Sequence, residues 1–154
     1  MADKLLHQDF VDLLRAFAAA DVRFLVVGAY ALAVHGLPRA TGDLDVWIDP
    51  TPPNAQRAYG ALRDFGAPLA NLREEDLTNR DLVFQMGVAP VRIDVLMGIS
   101  GVEFAEAWER RTEGVFEGVR FPVIGFDDLV RNKRASARPK DLVDLEILER
   151  QCRR

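Results

Sequence analysis

The chain has 154 residues, 49% of them apolar and 29% charged, with 11 Gly and 8 Pro. That composition excludes disordered, collagenous and low-complexity chains, and the length predicts a single domain over residues 1–154 with a short C-terminal helical tail. Twenty Lys and Arg against 24 Asp and Glu leave a net charge of −4, which argues against a dedicated non-specific nucleic-acid binder, since counterion release needs excess positive charge. Cys152 is the one cysteine, so no internal disulfide forms, and no CxxC or Cys/His cluster suggests zinc; a cytoplasmic protein is expected. The longest apolar run, residues 24–34, is far shorter than the roughly 20 residues that cross a bilayer, and the first four residues carry no leader pattern, so no membrane is expected.

Phe10, Val11, Leu13, Leu14, Phe17 and Ala18 recur near helical spacing and predict an opening amphipathic helix that stops at Asp21, with His7 solvated in it. Phe24-Leu25-Val26-Val27 is wholly apolar, as a strand buried on both faces is, and turns at Gly28 into a second helix over 29–35 that Gly36 and Pro38 end. Asp43-Leu44-Asp45-Val46-Trp47-Ile48-Asp49 begins as strict polar/apolar alternation, the period of a strand with two unlike faces. Trp47 is expected to face the core, and Asp49, before Pro50, to be a strand-end turn residue. A helix over 54–65 has Pro at its start, and 66–80 read as loop with one helical turn. Strands are predicted over 82–86 and 91–97 around a turn at 87–90. A helix around Val102, Ala105 and Trp108 follows, with Ser100-Gly101 as its cap, then a hairpin around Gly118 and a helix over 126–137. The closing helix, with Pro139 in its first turn, has Leu142, Leu145, Ile147 and Leu148 as its expected apolar face. Helices mixed with adjacent antiparallel strands indicate an α+β domain with helices packed on one sheet.

Candidate chemistry gathers at three places. Gly28-Ala29 sits at a strand-to-helix turn, where glycine permits close backbone approach and the amides of the helix start favour phosphate. Asp43 and Asp45, two apart on a strand, point to one face about 6.5–7 Å apart; bare, they repel, and a divalent cation relieves the repulsion. Asp94, between Ile93 and Val95 on another apolar strand, presents a third carboxylate to the same point if the two strands are neighbours. Oxygen-only ligation favours Mg2+ or Mn2+, and a two-metal site of this kind binds an NTP, activates an attacking hydroxyl and stabilises leaving pyrophosphate. Taken singly, Asp-x-Asp is more often a solvated strand face, and Lys133 with Arg134 more often a solvated helix face. Arg39 and Thr41 either contact phosphate or brace the loop, Tyr30 either packs or joins the site, and His35 caps carbonyls or packs. No Ser/His/Asp set or P-loop signature occurs.

The combination resembles the first motif of the DNA-polymerase-β-like nucleotidyltransferase superfamily, in which Gly-Gly or Gly-Ser is followed by a spacer and Asp-x-Asp. The resemblance rests on Val26-Val27-Gly28-Ala29-Tyr30-Ala31 and Pro38-Arg39-Ala40-Thr41-Gly42-Asp43-Leu44-Asp45-Val46-Trp47-Ile48. Arg92-Ile93-Asp94-Val95-Leu96 resembles the third-carboxylate strand. Asn132-Lys133-Arg134-Ala135 and Arg138-Pro139-Lys140-Asp141-Leu142 resemble the tail of small bacterial members, the abortive-infection toxin-like branch being the nearest. The likeness runs over residues 22–148. It implies a mixed sheet with helices packed on it, and metal-dependent transfer of an NMP from an NTP to a hydroxyl of a protein, RNA or small-molecule acceptor. By this resemblance Asp43 and Asp45 hold the metals, and Asp94 is the third ligand and activates the acceptor hydroxyl. Gly28, Ala29, Arg39 and Thr41 are nucleotide-binding, Lys133 contacts the nucleotide phosphates, and Asp141 is a further polar site residue. Ala29 departs from the family's Gly or Ser, which removes a hydroxyl contact and keeps the backbone amide. Larger relatives carry an additional helical domain for the acceptor, so a partner protein or a homodimer is expected to complete the site. The competing expectation is a partner-binding module of the same fold from a toxin–antitoxin pair; a third is a domain that binds nucleotide without chemistry.

Overall fold

Four consecutive apolar residues with no polar face can only be satisfied in the middle of a layered structure, and that is where they lie. In the computed structural model, which describes residues 7–37, 43–88, 91–116 and 118–152, they form β1 (Phe24–Val27), buried along its whole length. Before it, α1 (Gln8–Ala19) buries Phe10, Val11, Leu13, Leu14 and Phe17, and the Phe17 ring meets that of Phe24 at 5.3 Å. His7 stands ahead of this helix as its cap, its Nδ1 accepting the Asp9 N–H at 3.0 Å.

The remaining elements are α2 (Gly28–Val34), β2 (Asp43–Ile48), α3 (Pro52–Phe65), a 3-10 turn (Glu74–Thr78), β3 (Val83–Met86), β4 (Arg92–Leu96) and α4 (Phe104–Glu109), then β5 (Thr112–Phe116), β6 (Val119–Val123), α5 (Phe126–Ser136) and α6 (Pro139–Cys152). The strands make one mixed sheet in the order β3-β4-β2-β1-β6-β5. β1 pairs antiparallel with β2 and parallel with β6, while β2 pairs parallel with β4. A parallel neighbour needs a crossover, and α3, the 3-10 turn and β3 supply the chain between β2 and β4. This is the expected α+β class. Among the described residues no helix is long and apolar enough to cross a membrane.

Asn54, in the first turn of α3, has no solvent exposure. Its amide donates to the carbonyls of Asp49 at 2.8 Å and Arg23 at 3.0 Å, and its Oδ1 accepts the Arg23 N–H at 2.8 Å. One side chain thus ties the start of β1 to the end of β2, and Asp49 is the strand-end residue expected.

Trp47 is buried as expected, on the same strand face as Asp45 and with the ring of Phe104 of α4 edge-on at 5.0 Å. Two expectations are corrected. Ser100-Gly101 is not the cap of α4, whose cap position is Glu103. Instead Gly101, at φ +76°, lets the loop close on α5, where a Cβ would come within 2.5 Å of the Ala135 Cβ; the Asn132 amide donates to the Ser100 carbonyl at 2.9 Å. In α6, Leu142 is exposed together with Val143, and the buried side is Asp141, Asp144, Leu145 and Leu148. The first turns of the helix dock on α5 through charge, Asp141 and Asp144 meeting Lys133.

Removing the Asn54 amide strands buried backbone groups on two strands. Asn54→Ala is expected to lower unfolding stability by about 2 kcal/mol in urea titration, and a loss under about 0.5 kcal/mol contradicts the role assigned to it.

Candidate active site

Register decides what meets at the end of the sheet where β1 finishes and β2 and β4 begin. Val27 pairs with Asp45, Asp45 with Asp94 and Asp43 with Arg92. Partners in register share a face, so Asp43, Asp45, Arg92 and Asp94 all project on one side of the central strands. The chain leaves β1 at Gly28 with φ +70°, and a Cβ there would lie 2.1 Å from Asp45 Oδ2. Only glycine both turns the chain and admits the carboxylate. Together Gly28, Ala29 and the three aspartates line a cleft of about 730 Å³, with Lys133 of α5 on the opposite wall.

Crowding of like charge sets the electrostatics. Burial, then the charges of Asp94 and Asp43, push the Asp45 carboxyl up to about 6, with Arg92 partly opposing them. Asp94 is 7% exposed and its Oδ1 is buried without a hydrogen-bond partner. Arg92 supplies the local countercharge: its Nη2 lies 3.1 Å from Asp94 Oδ2 and 3.4 Å from Asp43 Oδ2. Among the described residues no group of three or more His, Cys, Asp or Glu is arranged as placed to hold a metal ion. The oxygen-only donor set and the unpartnered Asp94 Oδ1 nevertheless fit a hard divalent cation, for which Asp43, Asp45 and Asp94 are the available ligands.

On the far wall, the Lys133 ammonium lies 3.2 Å from both Asp141 Oδ1 and Asp144 Oδ2, in the junction between α5 and α6. Asp141 has no exposed surface and accepts from Ser136 Oγ at 2.6 Å and Arg138 Nε at 2.7 Å as well. Burial raises its pKa, but hydrogen bonds from Arg138, Ser136 and Lys133 outweigh that and hold the carboxyl well below the usual range. Lys133 lines the cleft although its ammonium is held by the two aspartates, while Asp141, with no exposed surface, does not line it. Arg39 and Thr41 lie outside the described residues. Tyr30 packs its ring edge-on to Phe10 and Phe116, and His35 Nε2 lies 2.7 Å from the Ile124 carbonyl, so both have packing partners.

Sequence reading singled out neither Arg92 nor Asp144. Arg92 is two residues before Asp94, so strand periodicity alone places both on one face. Asp144 falls three residues after Asp141, one helical turn on, opposite a lysine whose position no local pattern gives.

The family described as "Nucleotidyltransferase of unknown function (DUF6036)" matches residues 6–149. No curated protein matches the chain in sequence. Among solved structures, the chain is similar to a Thermotoga maritima protein assigned as a nucleotidyltransferase, at 12% identity and TM-score 0.57, over 97% of this chain and 96% of that one. It is similar also to the antibiotic-resistance factor ANT(2'')-Ia, at 14% identity and TM-score 0.61, over 92% of this chain and 82% of that one. The lincosamide antibiotic adenylyltransferase LnuA in its lincomycin-bound form is similar at 11% identity and TM-score 0.57, over 94% and 97%. At such identities the likeness is one of fold.

The raised pKa of Asp45 means that the folded chain keeps a proton the unfolded chain releases. Its stabilising contribution is full below about pH 4 and is lost as the pH rises through about 6. Without added metal, Asp45→Asn is expected to exceed the parent in stability by about 1–3 kcal/mol at pH 8, with the gain gone by pH 4. Urea titration at both pH values measures it; no gain at pH 8 contradicts the repulsion assigned to the carboxylates.

Proposed function

Since the chain belongs to the family of nucleotidyltransferases of unknown function, we propose that it moves a nucleoside monophosphate from an NTP to an acceptor hydroxyl, using Mg2+ or Mn2+ held by Asp43, Asp45 and Asp94. The observation that carries this reading is the set of three carboxylates from two paired strands on one face of the cleft, beside Gly28. A bound divalent cation supplies screening of the triphosphate charge and stabilisation of the departing pyrophosphate. Asp94, the most buried of the three, has an oxygen free to accept the proton of the acceptor hydroxyl. The hydroxyl oxygen then bonds to the α-phosphorus as the bond to the bridging oxygen breaks, and pyrophosphate leaves.

The backbone amides of Gly28 and Ala29 serve the phosphates, which does not require the hydroxyl that Ala29 lacks. Lys133 presents a positive charge to the nucleotide phosphates from the facing wall, and Arg39 and Thr41 keep their assignment to nucleotide binding from the sequence. Asp141 acts through Lys133 and Arg138, since it has no exposed surface with which to touch a nucleotide. The adenylyltransferase named for lincosamide antibiotics, a small-molecule class, supports testing small hydroxyl-bearing acceptors beside protein and RNA.

A second reading retains the fold and drops the turnover: a partner-binding module, as in a toxin–antitoxin pair of the abortive-infection type. Leu142 and Val143, 50% and 60% exposed side by side on α6, favour it. Co-expression with the product of the neighbouring gene, followed by sizing, separates the readings, because a lone species that turns over NTP excludes a purely binding role.

Purified protein with Mg2+, each labelled NTP and cell lysate is expected to label a discrete acceptor. Asp43→Ala and Asp94→Ala, folded by circular dichroism, are expected to lower labelling by about 10²–10⁴-fold. Equal labelling by Asp43→Ala overturns the assignment.

A further inference from the structure

We propose that Arg92 is a built-in counter-ion that closes the carboxylate site to bare divalent metal and yields it when metal arrives together with nucleotide phosphates. This rests on the reading that Asp43, Asp45 and Asp94 are metal ligands. Arg92 and Asp94 are two residues apart on β4 and share a face, while the register of β4 against β2 sets Asp43 directly across from Arg92. One nitrogen, Nη2, therefore reaches both outer carboxylates, 3.4 Å from Asp43 and 3.1 Å from Asp94. It stands between the groups a cation must gather, and the same Oδ2 atoms cannot serve guanidinium and metal alike.

The posture is reversible by construction. The Arg92 side chain is 38% exposed, so its head can turn to solvent without leaving a buried charge behind. Its Nε is buried and without a hydrogen-bond partner, so the present contact does not use all of the guanidinium's donors. A lone divalent ion must displace a monovalent cation already in place, which exchanges one favourable charge interaction for another. Metal delivered with a triphosphate brings the oxygens to which a guanidinium fork is best matched, so Arg92 transfers from carboxylate to phosphate without losing an anionic partner. Metal and nucleotide then reinforce each other's binding through this one side chain, and by linkage the coupling is equal in both directions.

Mn2+ binding, read by electron paramagnetic resonance of the free ion, tests this in the purified chain with and without a non-hydrolysable NTP analogue. Wild type is expected to bind Mn2+ weakly alone and at least tenfold more tightly with the analogue. Arg92→Gln is expected to bind Mn2+ alone at least tenfold more tightly than wild type and to lose most of the gain from the analogue. Arg92→Lys, which keeps the charge and loses the fork, is expected between the two, and provides the comparison should Arg92→Gln not fold. Unchanged or weaker Mn2+ binding by the folded variants, with tight binding by wild type plus analogue, overturns the role of Arg92 and leaves the metal site standing. Absence of Mn2+ binding in wild type and variants under every condition overturns both.

Discussion

The functional architecture depends on one constraint, the parallel pairing of β2 with β4 in a register that sets Asp45 opposite Asp94. Strand side chains alternate, so a slip of one residue would turn Asp94 to the opposite face and bring Ile93 and Val95 into the cleft. What holds the register is apolar: Leu44, Val46, Ile93 and Val95 are all buried on the reverse face. The hydrophobic interior therefore fixes where the acids point, although none of its members takes part in their chemistry.

Concentrating acids at one strand end carries an electrostatic cost, visible in the protonation preference of Asp45 and in the guanidinium drawn between Asp43 and Asp94. The opposite wall solves a similar problem with the signs reversed. Lys133 is a buried ammonium held by Asp141 and Asp144, and the same interaction docks α6 on α5. Each of the two sites thus carries a cation gripped by carboxylates, Arg92 between Asp43 and Asp94 and Lys133 between Asp141 and Asp144.

Family membership comes from the match over residues 6–149, while the similarity to solved structures at 11–14% identity is one of shared fold. At that distance most packing residues differ, and a fold can persist because volume and patterning constrain a core more loosely than chemistry constrains a site. Near the cleft the tolerance is narrower: Gly28 is forced by the Asp45 carboxylate and by its own backbone angle, and Gly101 by the approach of Ala135.

Much of the framework was legible along the chain because it is written in local periodicity. The apolar run of β1, the alternation of β2, the turn at Gly28 and the amphipathic α1 each have short-range causes, and the likeness of Asp43, Asp45 and Asp94 to a known motif needed no coordinates. Local patterns misled where burial came from a distant element. The first turns of α6 bury aspartates instead of leucine because Lys133 of α5 pairs with them. The sequence by itself determined the element types, the carboxylates and the glycine turn, since these follow from spacing within a few residues. Tertiary structure alone decided that the acids on two separate strands share a face, that Arg92 bridges them and that Lys133 stands opposite, because pairing register and helix docking are set by contacts between residues far apart in the chain.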